Sequence, residues 1–128
     1  MNEPIPNRID EIGRLIVDAA YTVHKKLGPG LLERIYETCF CHELSKRGLS
    51  FRRQVHVPLE YDGHYFEQGV ILDVLVEDAV ICELKAQEPQ PVFISQLLSQ
   101  LKLARKRLGY LINFNVPLMK NGIRRMVI

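Results

Sequence analysis

The chain has 128 residues, 47% of them hydrophobic and 25% charged, with a formal net charge of +2. That composition is ordinary for a globular protein and predicts one domain over residues 1–128 around one core. It excludes a membrane-spanning protein, since no apolar run reaches the ~18 residues a bilayer requires, and the charge is too small to announce a nucleic-acid binder by itself.

The N-terminal run Met1-Asn2-Glu3-Pro4 lacks the basic-then-apolar layout of a secretory leader, so a cytoplasmic protein is expected. Residues 8–27 follow an amphipathic helical spacing through Ile9, Ile12, Ile16, Ala19 or Ala20, Val23 and Leu27. Gly28-Pro29-Gly30 should stop that helix. A second helix is predicted from Leu31 to Arg47, ending at Gly48. A strand follows near Phe51–Tyr61, then a turn at Asp62-Gly63 and a longer strand near Tyr65–Val76. A tight connection around Asp78 leads into a strand at Val80–Ala86. Pro89 and Pro91 break the chain before a third helix at Val92–Arg107, and Gly109 opens a strand at Tyr110–Asn115. Ile123–Ile128 reads as a last short strand at a sheet edge, where it could pair with a second copy. The order ααβββαβ(β) is that of an α/β protein. Its first three strands should form an antiparallel meander, and the third helix is long enough to return the next strand parallel.

Two runs stand out: Ile71-Leu72-Asp73-Val74-Leu75-Val76 and Val80-Ile81-Cys82-Glu83-Leu84-Lys85. Both are apolar at nearly every position, as central strands covered on both faces must be. Yet each carries charge, and an unpaired buried charge is so costly that such groups are paired, metal-bound or chemically used. Alternation puts Asp73 on a face with Ile71 and Leu75, and Glu83 with Ile81 and Lys85. An odd-length loop centred on Asp78 would set Asp73 opposite Glu83, whereas an even loop would put them on opposite faces. The odd loop is expected, because it gathers three charges into one site. Two facing carboxylates repel unless a cation lies between them. Oxygen ligands with open positions suit Mg²⁺ or Mn²⁺, which activate water and stabilise charge on a reacting phosphate. Lys85 projects from the same face and could orient or deprotonate that water, or bind the phosphate.

Other residues carry two readings each. Glu33 shares the inward stripe of the second helix with Tyr36 and Phe40. It either supports the helix start or points a carboxylate at the metal site. Gln96 is a core-edge amide or a ligand for substrate or water. Tyr36 should pack with its hydroxyl bonded, and His24, His42, His56 and His64 should fill surface or boundary positions. Cys39, Cys41 and Cys82 are expected reduced and buried. Cys39-Phe40-Cys41-His42 lacks the second Cys/His pair that would complete a zinc site. Basic residues cluster at Lys25-Lys26, Arg52-Arg53, Arg124-Arg125 and along Lys102, Arg105, Lys106 and Arg107. They gain meaning as phosphate contacts only if they converge in space.

Gly30-Leu31-Leu32-Glu33-Arg34-Ile35-Tyr36 resembles the signature of the GxxExxY protein family. Leu27-Gly28-Pro29 and Gly109-Tyr110-Leu111-Ile112-Asn113-Phe114 resemble the same family. That family is in turn similar to the PD-(D/E)XK nuclease superfamily, and the likeness covers nearly the whole chain. It implies a restriction-endonuclease-like core, a mixed central sheet flanked by helices. It further implies that Asp73 is the motif aspartate and Glu83-Leu84-Lys85 the (D/E)XK element. The Leu84 backbone carbonyl would be a further metal ligand, Glu33 the acidic residue of the preceding helix, and Gln96 the glutamine of the exonuclease-like branch. Two positions depart from the pattern: Leu72 stands where the motif proline would be, and Gln100 where a tyrosine often follows the glutamine.

The expected function is therefore metal-dependent hydrolysis of nucleic acid, DNA foremost, with Mg²⁺ or Mn²⁺ held by Asp73 and Glu83 and assisted by Lys85. The alternative is a nuclease-fold module that binds nucleic acid or a protein partner without cutting it. Hydrolysis of some other phosphate-containing molecule is a third class. One active site per chain implies a homodimer if both strands of a duplex are to be cut.

Overall fold

The structure, a computed structural model, describes residues 3–128. Met1 and Asn2, which begin the Met1-Asn2-Glu3-Pro4 run, lie outside the described residues. The elements are α1 (Asn7–Leu27), α2 (Glu33–Lys46), β1 (Phe51–Tyr61), β2 (His64–Val76), β3 (Val80–Lys85), α3 (Val92–Ala104), β4 (Leu108–Asn113), a short 3₁₀ turn (Met119–Asn121) and β5 (Ile123–Val127). No helix among the described residues is long and apolar enough to cross a membrane.

The strands form one five-stranded mixed sheet in the order β1-β2-β3-β4-β5. β1, β2 and β3 are the expected antiparallel meander, β4 returns parallel to β3 through α3, and β5 closes an edge antiparallel to β4. This α/β architecture, a mixed sheet flanked by helices, matches the restriction-endonuclease-like core that the resemblance implied. One sheet face packs on α1 and α2 through Ile16, Val23, Phe40 and Leu44 against Val74, Val76, Cys82, Leu84 and Ile112. The other packs on α3 through Phe93, Leu97 and Leu101 against Leu72, Leu75, Ile81 and Leu111. Covered on both sides, β4 is buried at every position and β3 at all but Lys85. β1 and β2 run far beyond the six residues of β3, and their shared end, including Tyr61, Tyr65 and Phe66, is exposed.

The largest difference from expectation lies between α3 and β4. α3 stops at Ala104 rather than Arg107, because Arg105 takes the left-handed conformation (φ 58°) and the Lys106 N–H turns back to the Leu101 carbonyl. Freed from the helix, Lys106 and Arg107 lead directly into β4, which starts at Leu108 rather than Tyr110. Cys41 and Cys82 are buried and Cys39 half-buried, all as free thiols. Burial pushes Cys41 up to about 11 and raises Cys82 as well, so both stay protonated and unreactive.

One close approach sets the seating of α1. A Cβ at Gly13 would lie 2.4 Å from the Tyr110 hydroxyl oxygen, so only a glycine lets this helix lie on β4 at that point.

Candidate active site

The β2–β3 connection is the odd loop, Glu77-Asp78-Ala79, with left-handed φ at Glu77 and Asp78. Its register, Val76↔Val80, Leu75↔Ile81 and Val74↔Cys82, makes Asp73 and Glu83 the next facing pair. There the ladder ends. The Leu84 N–H donates to Asp73 Oδ2 at 2.8 Å, where a regular strand would offer a backbone carbonyl.

The facing pair was expected with Asp73 on a face with Ile71 and Leu75; the structure corrects that placement. Val74 and Val76 belong to the α1/α2 side and Leu75 to the α3 side, but Leu72 also belongs to the α3 side. Strict alternation is therefore broken at Asp73. The partner strand breaks with it: Arg53↔Val74 and Val55↔Leu72 are paired, while Gln54, between them, has φ 52°. The local twist turns the Asp73 carboxylate into the gap between β2 and β3. The Leu84 carbonyl points the same way as its N–H, toward that gap, whereas the Lys85 carbonyl points to β4 and accepts from the Phe114 N–H at 2.9 Å.

Glu83 lies on the α3 side, as alternation requires, and is buried. Both of its oxygens are engaged: Oε1 accepts from Gln100 Nε2 at 3.0 Å, and Oε2 lies 3.2 Å from Lys85 Nζ. The Lys85 ammonium also sits over the Phe93 ring, 4.6 Å from its centroid. Burial, then the neighbouring Glu83 charge, pushes the Asp73 carboxyl up to about 7, against the opposing Leu84 N–H. The second buried carboxylate thus adds to the cost of ionising Asp73, the condition a divalent cation relieves.

Glu33 is the first residue of α2. The residue is exposed, yet its carboxyl is partly desolvated and raised, chiefly by burial, while Lys85 lowers it and Glu83 and Glu37 raise it further. It therefore stands within the field of the same cluster. The spacing from Gly30 to Tyr36 has a mechanical explanation. The Tyr36 hydroxyl donates to the Gly28 carbonyl and accepts from the Leu31 N–H at 3.1 Å, while its ring stacks on Phe114 at 4.5 Å. The glycine loop is stapled to the core, which fixes the helix start carrying Glu33.

Gln96 lies exposed on the rim of a cleft of about 440 Å³ that Glu83, Lys85, Ser95, Ser99 and Gln100 also line. It makes no hydrogen bond with the acidic pair; Gln100, one turn further along α3, does. Glu37 was also missed. It is buried, accepts from Arg53 Nε at 2.9 Å and Gln54 Nε2 at 3.2 Å, and adds to the field that raises Asp73. Its position four residues after Glu33 on the inward stripe was the available signal.

An all-oxygen set of Asp73, Glu83 and the Leu84 carbonyl fits a hard divalent cation. Among the described residues, no three His, Cys, Asp or Glu side chains form a ready metal cluster. A cation here would depend on the backbone carbonyl and on solvent or substrate oxygens as well as the two acids.

His24 is buried with Nε2 2.7 Å from the Val116 carbonyl, and His42, His56 and His64 are exposed. Of the basic clusters, Arg53 is taken by Glu37 and Arg125 by Asp10. Arg52 and Lys106 converge on Asp78, at the end of β3 opposite Lys85.

A protein-family model described as the PD-(D/E)XK nuclease superfamily matches residues 10–126. No curated protein and no solved structure matches the chain significantly.

Proposed function

The chain belongs to the PD-(D/E)XK nuclease superfamily, and from that premise we propose that it is a divalent-metal-dependent nuclease hydrolysing phosphodiester bonds, with DNA as its first substrate. One observation carries the proposal: the Asp73 carboxylate leaves its strand face to meet the Leu84 N–H beside the buried Glu83. A pair of acids held so close, with Asp73 raised to about 7, is a poor structural device and a good cation site.

Asp73, Glu83 and the Leu84 carbonyl would hold Mg²⁺ or Mn²⁺, with Glu33 facing the site from the start of α2. Such an ion, when bound, supplies Lewis acidity to the phosphate and acidifies its water. The chain's own part is positional. Lys85, paired with Glu83 in the metal-free chain and seated over the Phe93 ring, would hold the attacking water and offset charge growing on the phosphate as water adds and the bridging P–O bond breaks. Gln96, on the cleft rim, meets the substrate outside the reacting centre. Cutting both strands of a duplex would take two such sites, hence two chains.

The test is cleavage of plasmid and single-stranded DNA with Mg²⁺ or Mn²⁺ by the wild type, Asp73→Ala and Lys85→Ala. Loss in both variants is expected; cleavage that survives both changes would exclude this site. The alternative, a module that binds nucleic acid or a protein without cutting, is favoured by the engagement of both Glu83 oxygens. Metal-independent, salt-sensitive DNA binding with no cleavage would establish it.

A further inference from the structure

Gln100 is 5% exposed and sits on the apolar side of α3, between Leu97 and Leu101, which are fully buried. Its Nε2 donates to Glu83 Oε1 at 3.0 Å, but its Oε1 is buried with no hydrogen-bond partner. Turning the amide over would bring two oxygens face to face, so the carboxylate dictates the orientation that leaves Oε1 alone. A buried polar atom without a partner costs about 1–3 kcal/mol. A residue serving only to pack α3 on the sheet would do better as an apolar side chain. The other half of the amide must therefore be what matters at this position.

We propose that Gln100 is the positioning residue for Glu83: it fixes one carboxylate oxygen so that the other, now on Lys85, is the one that turns to the metal. This rests on the metal-site reading above and adds to it a division of labour within one carboxylate. Oε1 stays on Gln100 in every state, and Oε2 passes from the Lys85 ammonium to the cation. Lys85 is thereby released from Glu83 when the site is loaded, still over Phe93, and free to meet water or phosphate. Gln96, one turn earlier and exposed, has no part in this.

The experiment is Mn²⁺ binding by calorimetry, with thermal unfolding, on the wild type, Gln100→Met and Gln100→Glu, using Gln96→Met for comparison. Methionine keeps the length of the side chain and removes both the donor and the orphaned oxygen. Gln100→Met should weaken Mn²⁺ binding about tenfold to a hundredfold, the usual effect of losing a partner to a ligand. Its melting temperature without metal should change little, since removing the orphaned oxygen offsets leaving Glu83 Oε1 without its donor. Gln100→Glu places a third carboxylate against Glu83 and should lower the metal-free melting temperature at pH 8 while Mn²⁺ restores it. The opposite pattern for Gln100→Met, a lower melting temperature with unchanged Mn²⁺ affinity, would make Gln100 a packing residue and overturn the proposal. So would a loss of affinity confined to Gln96→Met. A wild type that binds no Mn²⁺ would instead overturn the metal site as a whole.

Discussion

The Asp73 carboxylate takes the place of a ladder carbonyl opposite the Leu84 N–H, at 2.8 Å. A single side chain therefore ends the β2–β3 pairing and leaves the Leu84 carbonyl aimed at the same gap, one residue from Glu83. Burial, with Glu83 second, raises Asp73 to about 7. A carboxyl raised in this way binds its proton more tightly in the folded chain than in the unfolded one, whose pKa is about 3.9. Its contribution to stability is fully present below that value and is lost as pH rises through about 7. Thermal unfolding of the metal-free protein between pH 4 and pH 8 should show this decline. Asp73→Asn, which can still accept from Leu84, should flatten it and raise the melting temperature at pH 8 by several degrees. Equal slopes for the two proteins would refute the assignment.

Metal should reverse the same penalty. Mn²⁺ at a hundred times its Kd stabilises a folded protein by about 2.7 kcal/mol. Because the ion favours ionised Asp73, the gain in melting temperature should be larger at pH 8 than at pH 6. EDTA should abolish it, and Asp73→Ala should show none. A pH-independent gain would place the ion elsewhere.

Lys85→Ala separates binding from chemistry. The ammonium lies 3.2 Å from Glu83 Oε2, where it competes with a cation for that oxygen. Cleavage should fall at least about a hundredfold, a typical loss for an electrostatic or acid–base group, while Mn²⁺ affinity holds or rises. Calorimetry showing loss of affinity in parallel with loss of cleavage would make Lys85 a structural partner of Glu83.

Tyr36 links the glycine loop to the core. Tyr36→Phe removes the bonds to Gly28 and Leu31 but keeps the stack on Phe114. It should destabilise by about 1–2 kcal/mol and reduce cleavage by loosening the start of α2. Tyr36→Ala should cost about 3–5 kcal/mol. Denaturant titration distinguishes the two; a Tyr36→Phe variant as stable as the wild type would mean that the hydroxyl contributes nothing.

Gly13→Ala tests the seating of α1. Alanine favours helix over glycine by about 1 kcal/mol, so a free helix would gain. Here the new Cβ meets the Tyr110 hydroxyl at 2.4 Å, and the variant should instead lose about 1–3 kcal/mol. Tyr110→Phe in the same chain should recover most of that, a coupling readable in a double-mutant cycle. Additive losses would show that the Tyr110 ring, not the hydroxyl, sets the contact.

The charged positions in apolar runs made the site legible: Asp73 and Glu83 implied the odd loop, and the loop is Glu77-Asp78-Ala79. The meander and the crossover followed from strand length and the helix between β3 and β4. The twist at Gln54 and Asp73 was not legible, since alternation assumes a regular ladder and gives no sign of where a side chain will replace a carbonyl. Gln100 was hidden for a related reason. A stripe of apolar residues on α3 shows which side is buried, but not which of two glutamines one turn apart reaches across to Glu83. The early end of α3 at Ala104 had no glycine or proline to mark it, only Arg105 in a conformation arginine seldom adopts. Pairing absorbed several of the basic residues, and which arginine meets which acid is a tertiary fact.

β3 is polar along its length in a sense that its side chains alone do not convey. Arg52 and Lys106 are spent on Asp78 where the strand begins. Where it ends, near Lys85, α2 and α3 both begin without a side-chain cap, each with the positive pole of its backbone dipole. A phosphate held there, beside Asp73, Glu83 and Glu33, would meet these peptide groups and Lys85 rather than arginines stripped of their counterions. Its hold on the protein should accordingly fade only gently with ionic strength, unlike that of a ligand gripped by a belt of free cations.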